Sequence, residues 1–380
     1  MVNRPTKTEP FAPAALAELA ARHQPAFAAL HRVEQQLNNR FYGVAHQVRA
    51  LVLALLSGEP LLFVGPPGTA KSRLIRALCR YLGVTPDAAA DEAAPGYFEY
   101  LLTPFTEPGE LFGFWDVQAL KEGRMKRLDD GMLQRSEVAF LDEVFNGSSA
   151  ILNSLLAILH ERRFHDRGRL VEARTEHIFA ATNRVPDSAE LRALYDRFTL
   201  RVGIANVSDH GTVAGTEGLA GRLAGLLTVG WRETFAEPDV QREGAELLAG
   251  LRGFRADVRA MTRSGALAPR PEEARFFQDL AAQVDTATRH QLSAMSNRRL
   301  VKLLYVMLVH RLYRAAAEPA EPGGPGFWAD ELTLCRDYFL DDQDGSERAR
   351  EQSAQVLGKM ARFRFHGPYA AAVAAPSRAG

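Results

Sequence analysis

The sequence contains few cysteines, no excess of either charge and no long apolar run. Its two cysteines, Cys79 and Cys335, lie far apart in apolar helical contexts. This favours packed, reduced thiols, with a disulfide or a metal site as the alternative. Lys and Arg together number 46, as do Asp and Glu, so the formal net charge is zero. Because proteins that bind nucleic acid backbones usually carry a basic excess, nucleic acid is disfavoured as the main partner.

Long apolar segments are also missing. No run approaches the ~18 apolar residues of a membrane-spanning helix. Residues 1–10 are polar and lack the apolar core of a secretory signal. We therefore expect no membrane insertion and a cytoplasmic location.

Hydrophobic spacing predicts an α/β region in the first half of the chain. Residues 14–57 have helical spacing, and further helices are predicted from Lys71 onward and at 149–161. Short apolar runs predict strands at 60–64, 97–102, 138–141, 177–181 and 198–204. Strands that alternate with helices indicate a parallel five-stranded sheet covered by helices. Ligands of such sheets bind at the carboxyl ends of the strands.

After about residue 206 the strand signals disappear. Helices are predicted at 217–230, 238–262, 271–292, 297–316, 327–339 and 346–363. The predicted organisation is a lead-in and helix at 1–29, an α/β core at 30–206, an all-helical lid at 207–316, a helical extension at 317–366 and a disordered tail at 367–380.

A glycine-containing loop joins the first strand to the helix at Lys71. It reads Gly65, Pro66, Pro67, Gly68, Thr69, Ala70, Lys71, Ser72 and fits the phosphate-loop template in the required strand-to-helix context. Backbone amides and the helix N-terminus would bind phosphates, Lys71 would reach the β- and γ-phosphates, and Ser72 would bind Mg²⁺. Ala70 stands where the template has glycine, and we expect near-helical geometry there. The alternative is a simple linking turn.

Two carboxylates, Asp142 and Glu143, follow the strand at 138–141. In phosphate-loop enzymes an acid at this strand end holds Mg²⁺, which assigns Asp142 to the metal. A second acid beside it can deprotonate the attacking water, which assigns Glu143 as the general base. Alone, the pair is equally typical of a helix N-cap. The lysine of the phosphate loop favours the catalytic interpretation.

Polar residues also follow the later strands. Asn183, after the strand at 177–181, is a candidate to bind the γ-phosphate or the water, although Asn is common in turns. Arg197 is our first candidate for an arginine supplied to a neighbouring subunit, and Arg201 is the second. In the helical region Arg298 lies at the start of an apolar helix, where its charge opposes the helix dipole and suggests an anionic partner. Surface ion pairs are the alternative for these arginines.

The combination resembles AAA+ ATPases, and within them the RavA-like branch of the MoxR family, over about residues 30–340. The carrying motifs are Leu56-Ser57-Gly58-Glu59-Pro60 before the phosphate loop, Thr103-Pro104-Phe105, Glu110-Leu111-Phe112-Gly113, Phe140-Leu141-Asp142-Glu143-Val144, Ala150-Ile151-Leu152-Asn153, His160-Glu161-Arg162 and Leu194-Tyr195-Asp196-Arg197. The resemblance thins in the helical lid.

The resemblance implies roles for the candidate residues. Lys71 and Ser72 become the Walker A pair, Asp142 and Glu143 the Walker B pair. Asn183 becomes sensor 1, Arg197 the arginine finger and Arg298 sensor 2. The implied ligands are ATP and Mg²⁺. The implied fold is an α/β phosphate-loop NTPase (AAA+) core followed by an all-helical lid.

The resemblance further implies two inserted hairpins, at residues 116–128 around Gly123 and at 164–175 with Gly168 as the turn. Members of the family resemble one another in forming rings, commonly hexamers, that act as chaperone-like motors with a partner bearing a von Willebrand factor A (vWA) domain. The favoured function is thus ATP-driven remodelling of a protein partner.

Two other functions compete with it. One is a nucleic-acid motor or a restriction-type GTPase, which the short basic cluster at 162–169 weakly favours. The other is a nucleotide-gated scaffold that does not hydrolyse, which the intact acidic pair disfavours.

Overall fold

The structure is a computed structural model that describes residues 10–84, 96–166, 169–186, 188–206, 219–235, 244–270, 276–289, 292–293, 295–317 and 329–340. These residues fall into two compact units, one formed by Gln36–Glu246 and the other by Met1–Gln35 together with Leu247–Gly380. The predicted helix at 346–363, the predicted tail and the hairpin turn at Gly168 lie outside the described residues.

The first unit is built on a parallel sheet. Its strands are β1 (Leu61–Val64), β2 (Tyr97–Leu101), β5 (Val138–Asp142), β8 (His177–Thr182) and β9 (Leu200–Gly203), and their order in the sheet is β2-β5-β8-β1-β9. Every neighbouring pair is parallel. The central strands β1 and β8 are buried along their whole length, as expected for a sheet covered on both faces. The predicted five-stranded parallel sheet is confirmed.

Helices connect and cover these strands. They are α2 (Ala45–Ser57), α3 (Lys71–Tyr81), α4 (Pro108–Phe112), α6 (Ser149–Glu161) and α7 (Ala189–Tyr195). The unit also contains α5 (Val117–Lys121) and, after the last strand, α8 (Leu219–Thr234). The predicted starts at Lys71 and Ser149 are correct. An apolar core, which includes Leu62, Leu141, Ile151, Leu155 and Ala180, lies between the sheet and its helices.

The helical structure predicted over residues 14–57 is present but is interrupted by one turn. The structure has α1 (Pro13–Arg40) and α2, separated by a turn in which Gly43 has a φ of +71°. Both helices carry apolar stripes, so their spacing alone did not reveal the break. Glycine tolerates the left-handed conformation that redirects the chain here.

Two pairs of short strands lie outside the main sheet. The first insertion, residues 113–128, has β3 (Phe114–Trp115) antiparallel to β4 (Arg127–Leu128), with α5 between them. The hairpin predicted at 116–128 is therefore present as an antiparallel pair that begins at Phe114, with α5 in its connection. Gly123, with a φ of +72°, lies just after α5. The second insertion, residues 163–172, has β6 (Arg163–Asp166) antiparallel to β7 (Arg169–Glu172), as predicted.

The second unit is helical in its described residues. It contains most of α1, with α9 (Gly244–Arg263), α10 (Phe276–Arg289), α11 (Asn297–Ala317) and α12 (Ala329–Tyr338). Phe27 of α1 packs edge-on against Phe254 of α9, with ring centroids 5.1 Å apart. The buried His310 of α11 contacts Glu331 of α12 at 3.0 Å. An all-helical arrangement after the α/β core is what the sequence predicted.

Both cysteines are buried and free. Burial disfavours the thiolate and raises the pKa of Cys335 to about 12. It also raises the pKa of Cys79. Among the described helices, none has the length and apolar character needed to cross a bilayer.

A candidate nucleotide-binding site

The predicted polar residues follow adjacent strands of the sheet. Gly65 follows β1, Asp142 ends β5, and Asn183 follows β8. Because β5, β8 and β1 are parallel neighbours, their carboxyl ends meet at one edge of the sheet. The sheet therefore brings together groups that are distant in the chain.

Two glycines shape the phosphate loop for different reasons. A Cβ on Gly65 would lie 1.9 Å from the backbone carbonyl of Ile204, so the close approach of the residue that follows β9 excludes any side chain. Gly68 has open space around it but a φ of +84°, a conformation that other residues rarely adopt. The Thr69 hydroxyl donates to the Pro66 carbonyl at 2.9 Å, which closes the loop over its two prolines.

Ala70 does not have the near-helical geometry that we expected. Its φ of +63° and ψ of 20° place it in the left-handed region, immediately before α3. An L-residue with a Cβ adopts this region at a cost of ~1–2 kcal/mol. The glycine of the template avoids that cost, so the alanine is a strained substitution at this position.

Lys71 is the first residue of α3, and its side chain is bent back over the loop. Its Nζ donates to the carbonyls of Gly65 at 2.6 Å and Pro66 at 2.9 Å, and to Asn183 Oδ1 at 3.4 Å. Burial of the ammonium lowers the pKa of Lys71, while the nearby charges of Asp142 and Glu143 oppose that shift. The lysine is thus a buried cation held at the mouth of the loop.

Ser72 and Asp142 present oxygen atoms to the same point. Ser72 Oγ lies 3.5 Å from Asp142 Oδ2, and Asp142 Oδ1 accepts from the backbone N–H of Glu143 at 3.0 Å. Mg²⁺ prefers few protein oxygens together with water and substrate phosphates, and adjacent ligands around it are ~3 Å apart. The pair fits that requirement. Across the parts of the chain that the structure describes, no cluster of three His, Cys, Asp or Glu residues offers a metal site of another kind.

Glu143 has a left-handed backbone and a carboxylate directed at Asn183. Its φ is +49°, and its Oε1 accepts a hydrogen bond from Asn183 Nδ2. Burial raises the pKa of Glu143, repulsion from Asp142 raises it further, and Lys71 and Asn183 oppose the rise. Non-glycine residues in this region persist where the surrounding structure enforces them, commonly at functional sites.

The Thr182 side chain was missing from the sequence predictions. Its hydroxyl donates to the Arg184 carbonyl at 3.0 Å and so fixes the turn that carries Asn183. A threonine at a strand end, two residues before a turn position, is a recognisable signal for such a bond.

The two candidate arginines of the 197–201 segment differ in environment. Arg197 is half-buried and follows α7. Arg201 is only 1% exposed. It donates to the carbonyls of Tyr195 at 2.9 Å and Phe198 at 3.2 Å, and its guanidinium lies 3.7 Å from the centroid of the Tyr195 ring.

Arg298 belongs to the second unit, in the first turn of α11. Its neighbour Arg299 is 1% exposed and donates to the Phe339 carbonyl at 2.8 Å and to Ser293 Oγ at 3.2 Å. Of the predicted site residues, the structure therefore groups Lys71, Ser72, Asp142, Glu143 and Asn183 in the first unit, and Arg298 lies in the other.

The chain is similar in sequence to several known proteins. Two uncharacterized proteins of Methanocaldococcus jannaschii are 36% identical over 182 residues (48% of this chain, 46% of the relative) and 37% identical over 173 residues (45% and 43%). A structural protein of Acidianus two-tailed virus is 30% identical over 174 residues (45% and 27%). The chain thus spans about half the length, or less, of the curated relatives it matches.

A crystal structure of a candidate ATPase from Cytophaga hutchinsonii superimposes with a TM-score of 0.56 at 14% identity, and covers 90% of this chain and 96% of that one. At this identity the likeness shows the fold alone. Residues 28–242 match the family model described as the MoxR domain in the MoxR-vWA-beta-propeller ternary systems. Because that match covers more than half of the chain, the protein belongs to the MoxR family and has an AAA+ α/β core followed by a helical part.

Proposed function

We propose that this protein hydrolyses ATP and uses the energy to remodel a partner protein. One observation carries the proposal: Lys71, Ser72, Asp142, Glu143 and Asn183 converge at the carboxyl edge of three adjacent strands. A lysine, a hydroxyl beside a carboxylate, and a second carboxylate paired with an amide form the set of groups that phosphoryl transfer to water requires.

In the proposed reaction the loop from Gly65 to Ala70 binds the phosphates through its backbone amides, assisted by the N-terminus of α3. Lys71 exchanges its contacts with the loop carbonyls for contacts with the β- and γ-phosphates. Ser72 and Asp142 would hold Mg²⁺, which neutralises the charge of the phosphates when it is bound.

Glu143 accepts the proton of the attacking water. The raised pKa of its carboxyl group, caused by burial and by Asp142, makes it a stronger base than an exposed glutamate. Asn183 holds that carboxylate and faces Lys71, so its amide lies between the base and the cation that binds phosphate. Its role in the proposal is to orient the base relative to the γ-phosphate.

The proposal also includes a ring in which Arg197 of one subunit completes the site of the next. A head-to-tail contact repeated between identical chains closes into a ring, which we expect to be a hexamer. The burial of Arg201 and its bonds to local carbonyls favour Arg197 for this role. Arg298 is proposed to contact the nucleotide from the helical lid.

A vWA-domain protein is the proposed partner, because the matched family model describes the MoxR domain of systems that contain one. The proposal of the RavA-like branch stays a prediction based on the sequence motifs. The basic cluster at 162–169 gives little support to a nucleic-acid motor: Arg162 donates to the Gly58 carbonyl at 2.6 Å, and Arg163 lies 3.9 Å from Glu172. A salt-dependent gel shift on single- and double-stranded DNA separates these functions.

Steady-state release of phosphate from MgATP tests the enzymatic part of the proposal. The wild-type chain is expected to release phosphate, and Lys71→Ala is expected to abolish it. Arg80→Ala, a change in the last turn of the same helix, serves as the control. Wild-type protein without turnover, or equal turnover in Lys71→Ala, would contradict the proposal. Capture of ring-bound proteins by Glu143→Gln in the presence of ATP, followed by mass spectrometry, tests the remodelling part.

A further inference from the structure

The two insertions of the first unit are connected by one arginine. Arg127, on β4 of the first insertion, donates through Nε to Asp166 Oδ1 at 3.2 Å, and Asp166 lies on β6 of the second insertion. Both side chains are largely withdrawn from water, with 17% of the Arg127 side chain and 10% of the Asp166 side chain exposed. An ion pair in such surroundings is screened far less than one on the surface.

The remaining contacts of Arg127 fix its own insertion. Its Nη1 donates to the Gly113 carbonyl at 2.7 Å, and its guanidinium lies 4.2 Å from the centroid of Trp115, its cross-strand neighbour. Gly113, with a φ of +88°, runs so close to β4 that a Cβ would lie 1.9 Å from the Leu128 carbonyl. One guanidinium thus contacts Gly113 where the first insertion begins, Trp115 on its first strand and Asp166 of the second insertion.

A second set of bonds joins the insertions at their bases. Gln134 is 1% exposed, and its side-chain Nε2 donates to the Phe112 carbonyl at 2.9 Å. The backbone carbonyl of Gln134 accepts from the backbone N–H of Arg174 at 2.8 Å. The Thr175 hydroxyl donates to the Leu133 carbonyl. These bonds connect the segments that flank the first insertion to the segment that leaves β7.

That segment continues directly into β8, the buried strand that ends at Thr182 and Asn183. The second insertion therefore stands at one end of the strand whose other end carries the amide that contacts Lys71 and Glu143. A displacement at Asn183 could therefore reach the second insertion through the buried strand β8. The Arg127–Asp166 pair adds a direct side-chain link between β4 of the first insertion and β6 of the second.

Three apolar side chains of the first insertion are exposed to solvent. Phe114 and Leu128 are directly opposite on the β3–β4 pair and are 55% and 53% exposed, and Val117 of α5 is 66% exposed. A movement of this insertion would therefore carry an exposed apolar surface with it.

We propose that Arg127 is a positioning residue that makes the two insertions respond to nucleotide as a single body. The inference rests on the proposed function for its nucleotide-dependent part. Without nucleotide, the expected dependence of one insertion on a residue of the other follows from the Arg127–Asp166 contact and does not require the proposed function.

Hydrogen–deuterium exchange on the full chain tests the inference with Asp166→Asn, which removes the charge but keeps the shape of the side chain. Without nucleotide, exchange at residues 114–116 and 126–128, in the other insertion, is expected to accelerate at least tenfold. Glu172→Gln is the matched control, because it removes the exposed pair with Arg163 within the second insertion. It is expected to leave residues 114–128 unchanged.

Arg127→Gln supplies the reciprocal measurement, with faster exchange expected at residues 163–166 and 169–172. If the effect of Asp166→Asn stays within residues 163–172, or if Glu172→Gln loosens the first insertion equally, the inference is overturned. Should Arg127→Gln fail to fold, the Asp166→Asn result decides alone.

A poorly hydrolysed ATP analogue then separates positioning from simple support. In the wild type, exchange in both insertions is expected to change together, whereas in Asp166→Asn only residues 163–172 are expected to respond. An equal response of both insertions in Asp166→Asn, or a wild-type response in one insertion only, overturns the inference even if ATP is hydrolysed. If calorimetry detects no nucleotide binding, the proposed function fails, and the nucleotide-free comparison still decides the inference.

Discussion

Asn183 Oδ1 accepts a hydrogen bond from Lys71 Nζ at 3.4 Å, although the two residues are 112 positions apart in the chain. The other end of the same amide donates to Glu143. An amide can serve both neighbours, because one end accepts from a cation and the other donates to a carboxylate. The geometry therefore links Glu143, the proposed base, to Lys71 through a single amide.

Replacing the base should separate binding from turnover. Glu143→Gln keeps the size of the side chain and removes its basicity, so ATP binding should persist while turnover falls by about 10²–10⁴-fold. Calorimetry and phosphate release measure the two quantities. Asp130→Asn, at an exposed turn position, is the control and should retain full turnover. Turnover of Glu143→Gln near the wild-type rate would show that Glu143 is not the base.

The pH dependence of turnover should report Glu143. Burial and repulsion from Asp142 raise the pKa of Glu143 above that of an exposed glutamate. The deprotonated carboxylate, and with it kcat, should therefore be lost at a higher pH than for an exposed glutamate. Hydrogen bonds from Asn183 lower the pKa of Glu143. In Asn183→Ala the acid limb of the kcat profile should therefore move to higher pH. A shift to lower pH, or no shift, would contradict the assigned contact.

Ala70→Gly should stabilise the protein. The change relieves a left-handed alanine and should raise the free energy of unfolding by about 0.5–1 kcal/mol, measured by urea denaturation. Ala77→Gly, within α3, is the matched control and should lower it by about 1 kcal/mol or more, since glycine disfavours a helix interior. Equal destabilisation by both changes would argue against the left-handed geometry.

Arg197 should act across a subunit boundary. Arg197→Ala and Lys71→Ala should each be nearly inactive alone, with a loss of about 10³-fold or more expected from the arginine change. Mixed subunits should recover part of the turnover, because some sites then combine an intact Lys71 with an intact Arg197 of a neighbour. If turnover does not recover although the rings are shown to exchange subunits, Arg197 acts on the site of its own subunit. Arg201→Ala should instead lower the unfolding midpoint, given its burial.

Much of the site could be predicted from the sequence because its residues follow buried strands. The apolar runs before Gly65, Asp142 and Asn183 fixed the strands, and parallel strands align their carboxyl ends. The backbone state of Ala70 could not be predicted, since alanine is compatible with a helix start and only the path of the loop imposes a positive φ. The role of Thr182 was visible in principle, because a hydroxyl at a strand end commonly stabilises a turn.

Contacts between distant segments could not be predicted from the sequence. Nothing in the local pattern around Arg127 indicates that its partner is Asp166, because such a pair depends on how two insertions pack. The burial of Arg201 was hidden for a similar reason, since an arginine normally lies at the surface and here it stacks on Tyr195. The turn between α1 and α2 was missed because both helices continue the same apolar periodicity.

Titration of the purified chain with MgATP in a calorimeter tests the central claim most directly. The arrangement of Lys71, Asp142 and the loop from Gly65 to Ala70 predicts saturable binding at one site per chain, and loss of that binding in Lys71→Ala. Absence of binding in the wild-type chain, or undiminished affinity in Lys71→Ala, would contradict the account.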